Sequence, residues 1–267
     1  MLSCLLPSGR DCPVVTKNNK AHAGSYRIDR SRVKGENFGN TRVNVIIPTL
    51  NEERNIGDMI YRLKRADCND ILIVDGHSKD GTVEFARKRG AKVIVQNGRG
   101  KGGALRQAFE DSFLNSDVIV IMDADGSMAP EELSLFTKAV ETGMDVVKGS
   151  RFLPRGGSED MTPLRRCGNR ILTWVFNFLF LTNYTDLCYG YMAFKKEALG
   201  RLSTCLTSEN FEIEAEICIK SKILGLSVLE IPSFERARIY GTSNLHTLGD
   251  GFKILLLLLK ESLARKS

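Results

Sequence analysis

The amino-acid sequence predicts an α/β protein, a single domain built on a doubly wound, mostly parallel sheet flanked by helices. Three observations carry that prediction. Short apolar runs alternate with helical periods between residues 43 and 141, a rhythm that belongs to βα units and parallel strands. The 267 residues, 42% of them hydrophobic, suffice for one full core. Acidic residues stand directly after three of the expected strands, where ligands collect in open α/β sheets.

Residues 1–42 are polar and basic, with Gly and Asn and no sustained apolar period, which reads as a flexible extension; the domain is expected over residues 43–267. Val43-Asn44-Val45-Ile46-Ile47 reads as a buried strand, and Ile56, Met59, Ile60 and Leu63 fall on one face of a helix over residues 52–65. Ile71-Leu72-Ile73-Val74 forms the next strand, followed by a helix over 80–89. The unit repeats with a strand at 92–95 and a helix at 102–114, then with a strand at 118–122 and a helix at 130–141. The second half is less regular: a long helix at 163–181, a short segment at 186–194 and a helix at 209–224. A strand at 226–231, a loop carrying Arg236, Arg238 and Tyr240, and a last helix at 248–264 complete the chain.

A formal charge of +6 and a pI near 8.9 suit an anionic partner, by charge alone a nucleotide diphosphate, a phospholipid surface or nucleic acid. Seven scattered cysteines without a C-x-x-C pair suggest neither a disulfide framework nor a zinc site, and so a reducing cytosol. Met1 to Leu6 runs at once into Pro7-Ser8-Gly9-Arg10, unlike a signal peptide. Two apolar runs, 171–181 and 254–259, fall short of the ~20 residues that span a bilayer; each reads as a buried helix or as one lying in a membrane interface.

The chemistry sits after the strands. Pro48-Thr49-Leu50-Asn51-Glu52-Glu53, Asp75-Gly76-His77-Ser78 and Asp123-Ala124-Asp125-Gly126-Ser127 share one edge of the expected sheet. A strand-end aspartate such as Asp75 can accept hydrogen bonds from a base or ribose, and two carboxylates one residue apart, Asp123 and Asp125, can reach a hard divalent ion that ligates phosphate oxygens. Gly98-Arg99-Gly100-Lys101-Gly102-Gly103 fits G-x-G-x-x-G, but it follows the third strand rather than the first. Its glycines and Lys101 read as a loop passing close to nucleotide or phosphate, or as a simple tight turn. No G-x-x-x-x-G-K-[ST] is present.

Taken in order, 48–53, 75–82, Gly100-Lys101-Gly102-Gly103-Ala104 and Met122-Asp123-Ala124-Asp125 resemble the successive motifs of family 2 glycosyltransferases, inverting enzymes of the GT-A fold. Gly149-Ser150-Arg151-Phe152, Asp186-Leu187-Cys188-Tyr189-Gly190 and 238–244 resemble later motifs of the dolichyl- and polyprenyl-phosphate mannosyl- and glucosyltransferase branch. The resemblance covers residues 43–250 and implies transfer of a hexose from a UDP- or GDP-linked donor to an acceptor, foremost a polyprenyl phosphate. It implies that Pro48, Leu50, Glu52 and Val74 line the base and ribose, that Asp123 and Ala124 touch the nucleotide-sugar, and that Asp125 binds Mg²⁺ or Mn²⁺. Ser127 would stand on the metal side, and Arg151 and Arg238 would neutralise phosphates. Two departures are visible. The usual Asp-Asp-Gly-Ser is Asp75-Gly76-His77-Ser78, which removes a carboxylate from the base side, and the usual Ser-Lys is Ser243-Asn244, which removes a cation near phosphate.

An alcohol acceptor must lose a proton, whereas a lipid phosphate is already nucleophilic. Glu212 and Glu216 share a helix face and Glu214 points elsewhere; Glu212 or Glu214 is the candidate base or acceptor-orienting group, the alternative being a solvated acidic face. Arg165, Arg166 and Arg170 precede the apolar run at 171–181, a combination suited to peripheral docking on the anionic cytoplasmic face of a membrane. The expected partners are thus a nucleotide-sugar and a lipid-phosphate or other acceptor, not nucleic acid. Competing readings are transfer to a soluble hydroxyl, a non-catalytic nucleotide-binding relative, and, weakest, an NAD-dependent oxidoreductase.

Overall fold

The computed structural model describes residues 41–66, 68–110, 116–241 and 247–265. The expected extension therefore lies almost wholly outside the described residues, as does Ser243-Asn244. The first half alternates as the apolar pattern predicts: β1 (Val43–Thr49), α1 (Glu53–Lys64), β2 (Asp70–Asp75), α2 (Thr82–Lys88), β3 (Lys92–Val95), α3 (Gly100–Glu110), β4 (Val118–Ile121) and α4 (Leu133–Glu141), the last entered through a 3₁₀ turn at Pro130–Glu132. The second half holds β5 (Val146–Ser150), β6 (Gly157–Ser158), α5 (Pro163–Phe180), β7 (Met192–Lys195), α6 (Lys196–Ser203), α7 (Ile213–Ile223), β8 (Val228–Pro232), β9 (Phe234–Glu235) and α8 (Thr247–Ala264).

Seven strands form one sheet in the order β3-β2-β1-β4-β7-β5-β8, and β6 pairs with β9 beside it. All the main-sheet pairings are parallel except those of β7, which runs antiparallel between β4 and β5. The short segment expected over 186–194 thus resolves into two parts: 186–191 is loop, and β7 begins only at Met192. Two apolar layers cover the sheet. One gathers α3, α5, α6, α7 and α8 around Leu72, Phe176, Phe194 and Leu258; the other packs α1 and α4 around Val45, Ile60, Phe136 and Tyr191. A strand's side chains alternate between faces, and Ile46 and Ile47 enter opposite layers accordingly.

The helix ends follow local chemistry. Thr162 caps α5 by accepting from the Arg165 N–H, with Pro163 in the first turn, and Leu181 ends it in a left-handed conformation. Among the described residues no helix is long and apolar enough to cross a membrane. The thiols of Cys68, Cys167, Cys188, Cys205 and Cys218 are free.

Candidate active site

The three acidic loops open at the carboxyl edge of β1, β2 and β4, and a cavity of about 750 Å³ lies above them. Two loops are tied to each other. Asn51, at φ +57°, donates its N–H to Ser78 Oγ and accepts the Lys79 N–H, both at 2.8 Å. The Asp75 carboxylate accepts the N–H and hydroxyl of Ser78 at 2.9 and 2.6 Å and the Thr49 hydroxyl at 3.3 Å. It is therefore spent on holding the loop and does not line the cavity. Val74 does not line it either: it is fully buried in the apolar layer that also holds Ile46 and Leu72. Of the expected nucleotide contacts, these two lie outside the cavity lining. Pro48, Leu50 and Glu52 do face the cavity, with Gly76, His77 and Gln96.

Beyond β4 the chain turns through Gly126 at φ +79°, a conformation glycine adopts without a Cβ penalty. The turn brings the Ser127 N–H to Asp125 Oδ1 at 2.9 Å. Arg238 grips the other oxygen, Oδ2, at 2.6 Å. The segment carrying Arg238 is strapped in place: Arg236 N–H donates to the Ser127 carbonyl at 2.8 Å, Asn55 Nδ2 to the Tyr240 carbonyl at 3.2 Å, and Arg54 lies 3.9 Å over the Tyr240 ring. Asp123, Ala124 and Ser127 line the same wall.

Asp123 has its own cation. Lys101 Nζ lies 2.5 Å from Asp123 Oδ1 and 2.6 Å from Glu214 Oε1. Burial disfavours the ammonium, but the two carboxylates outweigh it and hold Lys101 charged. Burial pushes the Glu214 carboxyl above its ordinary range, with Lys101 pulling it back. The Glu52 carboxyl is also raised, first by burial and then by Asp125 and Asp123, against a 2.7 Å hydrogen bond from Asn55. Four carboxylates, Glu52, Asp123, Asp125 and Glu214, thus meet on this side of the cavity, with Lys101 and Arg238 among them.

The glycines around Lys101 have a packing role, and Gly100 also lines the cavity. A Cβ on Gly100 would run into the Glu209 carbonyl and the Asn210 side chain, and one on Gly102 into the Ser208 and Glu209 backbone. They let α3 pack on the chain that leads into α7, where Gly103 N–H donates to the Glu209 carbonyl at 3.0 Å. Gly102→Ala is expected to cost about 2 kcal/mol in chemical denaturation. Gly103→Ala, with open space around it, is expected to cost nothing.

The acidic segment before and in α7 is not a solvated face. Glu216 is fully buried and its carboxylate accepts the Thr207 and Ser208 N–H groups at 2.8 to 3.1 Å. Glu214 reaches the cavity and Glu212 does not. Arg151 lines the cavity but is engaged from within: it pairs with both Asp186 oxygens at 2.7 and 3.0 Å and with Glu235 at 3.1 Å. Its donors stabilise the loop before β7. The cavity continues past Arg165, Asn169 and Leu172 on α5 to Asp250, Gly251 and Ile254 on α8. The sequence singles out Arg165 and, within the two apolar runs, Leu172 and Ile254; Asn169, Asp250, Gly251 and Gln96 carry no local motif.

No cluster of three or more metal-ligating side chains occurs among the described residues. Asp125 and Asp123 nevertheless fit a hard divalent cation completed by diphosphate oxygens and water: both are oxygen donors on one wall, and in their present state each is neutralised by a side-chain cation.

The chain is similar to known proteins in sequence and in fold. The sequence pattern of Glycosyl transferase family 2 matches residues 44–203. Glycosyltransferase AglJ of Haloferax volcanii is 35% identical over 220 residues, covering 82% of this chain and 71% of its own. Polyprenol monophosphomannose synthase of Mycolicibacterium smegmatis is 34% identical over 217 residues, 76% and 81% of the two chains. Glucosyl-3-phosphoglycerate synthase from Mycobacterium tuberculosis, solved with Mn²⁺, UDP and glucosyl-3-phosphoglycerate, superposes with a TM-score of 0.66 over 84% of this chain and 80% of its own, at 20% identity. That last likeness is one of fold, and it makes the mixed seven-stranded sheet a GT-A sheet. The chain belongs to glycosyl transferase family 2 and is a glycosyltransferase.

Proposed function

We propose that the protein transfers a hexose, with inversion, from a UDP- or GDP-linked donor to a polyprenyl phosphate, in the presence of Mg²⁺ or Mn²⁺. The observation that carries the acceptor assignment is the shape of the cavity. It runs from the carboxylates at the sheet edge into a crevice between α5 and α8, lined by Arg165 and by apolar Leu172 and Ile254. A phosphate headed by a long hydrocarbon needs that sequence of surfaces. The relatives named dolichyl-phosphate hexose transferase and polyprenol monophosphomannose synthase support the same class.

Asp125, with Asp123 and with Ser127 beside it, would hold the divalent cation, which when bound neutralises charge on the departing nucleoside diphosphate. Pro48, Leu50 and Glu52 bound the base and ribose end. Lys101 and Arg238 supply fixed positive charge next to the two aspartates, where negative charge develops on the leaving group. Glu214 is committed to Lys101 at 2.6 Å. That suits an anionic acceptor, which attacks the anomeric carbon without giving up a proton. Glu214 then positions Lys101 rather than acting as a base.

The outer faces of the two helices support docking on a lipid surface. Trp174 and Phe178 are 67% and 69% exposed and stack on each other, and α8 exposes Phe252, Leu256 and Leu263. Arg166 and Arg170 precede them at four-residue spacing along α5, beside Phe152. Replacing Trp174 and Phe178 together by serine is expected to lower co-sedimentation with anionic liposomes by about tenfold or more, leaving the melting temperature unchanged because neither ring is in the core.

The deciding experiment is a donor and acceptor screen with Mn²⁺ or Mg²⁺. UDP- and GDP-hexoses are offered with a short polyprenyl phosphate or a water-soluble alcohol. Transfer to the lipid phosphate is expected; transfer to the alcohol alone by a protein that stays off anionic liposomes would overturn the acceptor assignment.

A further inference from the structure

We infer that the side-chain amide of Gln96 reads the nucleobase of the donor, pairing with a base edge that carries an N–H beside a C=O. The inference rests on the nucleotide-sugar reading of the cavity.

Gln96 follows β3 directly and lines the cavity with Pro48, Leu50, Gly76 and His77. It is 4% exposed, and its amide oxygen has no hydrogen-bond partner. A buried acceptor left unsatisfied is costly, about 1–3 kcal/mol, and such a group in a binding cavity calls for a ligand that completes it. The residue is also held firmly. Its backbone N–H donates to the Asp75 carbonyl at 2.9 Å, and the next N–H, of Asn97, donates to Gln107 Oε1 at 2.7 Å.

Gly76 supplies the second observation. A Cβ there would lie 3.1 Å from the Thr49 carbonyl and 3.4 Å from Gln96 Nε2. A side chain at 76 would start in contact with the Gln96 amide, and the bare glycine leaves the space beside that amide open. The sequence replaces a carboxylate expected at 76 with hydrogen; the structure puts a neutral amide next to the gap. Glutamine's terminal torsion is broad, so its oxygen and nitrogen can meet a base edge without movement of the backbone.

A carboxamide presents one acceptor and one donor side by side. The N3–H and O4 of uracil and the N1–H and O6 of guanine are its complement. Glutamate at 96 would present acceptors only. It would then favour guanine, with adjacent N1–H and N2–H donors, over uracil, whose single N–H is flanked by two carbonyls.

The test is calorimetric titration of the full chain, with Mn²⁺, against UDP, GDP, CDP and ADP. The wild type is expected to bind UDP or GDP at least about tenfold more tightly than CDP and ADP. Gln96→Ala should flatten that preference, and Gln96→Glu should raise the ratio of GDP to UDP affinity, both with cooperative melting retained. Preferences that stay the same across all three proteins would overturn the role of Gln96 while leaving the nucleotide site intact. Absence of binding by any nucleotide to the wild type would instead remove the reading on which it stands.

Discussion

Asp125→Asn is expected to lower kcat/KM by about 10³-fold, because losing about 4 kcal/mol of charge stabilisation at a departing diphosphate corresponds to that factor. The substitution is chosen for what it keeps. The asparagine carbonyl still accepts the Ser127 N–H that Asp125 Oδ1 takes at 2.9 Å, so the turn through Gly126 should survive. What disappears is the negative charge that a divalent ion needs and that Arg238 grips at 2.6 Å. Two readouts separate chemistry from folding. Circular dichroism should match wild type, and calorimetric titration with Mn²⁺ and nucleoside diphosphate should lose its metal-dependent component. A variant that binds metal and turns over like wild type would show that Asp125 is only the structural partner of Arg238.

How far the sequence revealed this site depends on how local each piece of chemistry is. Asp123 and Asp125 were legible because an apolar strand, an acidic triplet and a turn glycine lie within a few residues. The same short-range logic says less about Val74 and Asp75, whose surroundings come from other strands and loops. Val74 shares a sheet face with its register partner Pro48, but it lies one layer deeper with Ile46 and Leu72 and is fully buried. Lys101 was noticed through its glycines, yet those glycines answer to the backbone at Ser208 and Glu209, a contact no local pattern announces. Arg151 sits in a motif but is claimed by Asp186 and Glu235, partners known only once β7 and β9 are placed. The fold itself was easier to read, since period and length report each βα unit separately. The antiparallel β7 was missed because four residues in a mixed apolar stretch carry too little periodicity to mark direction.

The largest effect on stability is expected at Lys101, from a substitution to methionine. It removes the one cation shared by Asp123 and Glu214, whose side chains are 31% and 5% exposed. Breaking a buried pair by deleting one partner costs about 3 kcal/mol or more, since the remaining charge loses its compensation. For a domain of this size that corresponds to a fall in Tm of roughly 6–12 °C. Glu214→Gln should cost much less, because the amide oxygen can still accept from Lys101. In the double variant the methionine should cost about 2 kcal/mol less than in the wild type. The pH dependence has a definite sign. Burial already raises the Glu214 carboxyl, and Lys101 is what pulls it back; without the lysine it rises further. A carboxyl with a raised folded-state pKa destabilises the fold as pH climbs above its unfolded value, because the fold then resists losing the proton. The stability gap between Lys101→Met and wild type should therefore be widest near neutrality and should narrow as pH falls through the ordinary glutamate range. A gap that is constant with pH would mean that packing of the lysine stem, and not its charge, is what α3 contributes at this point of the cavity.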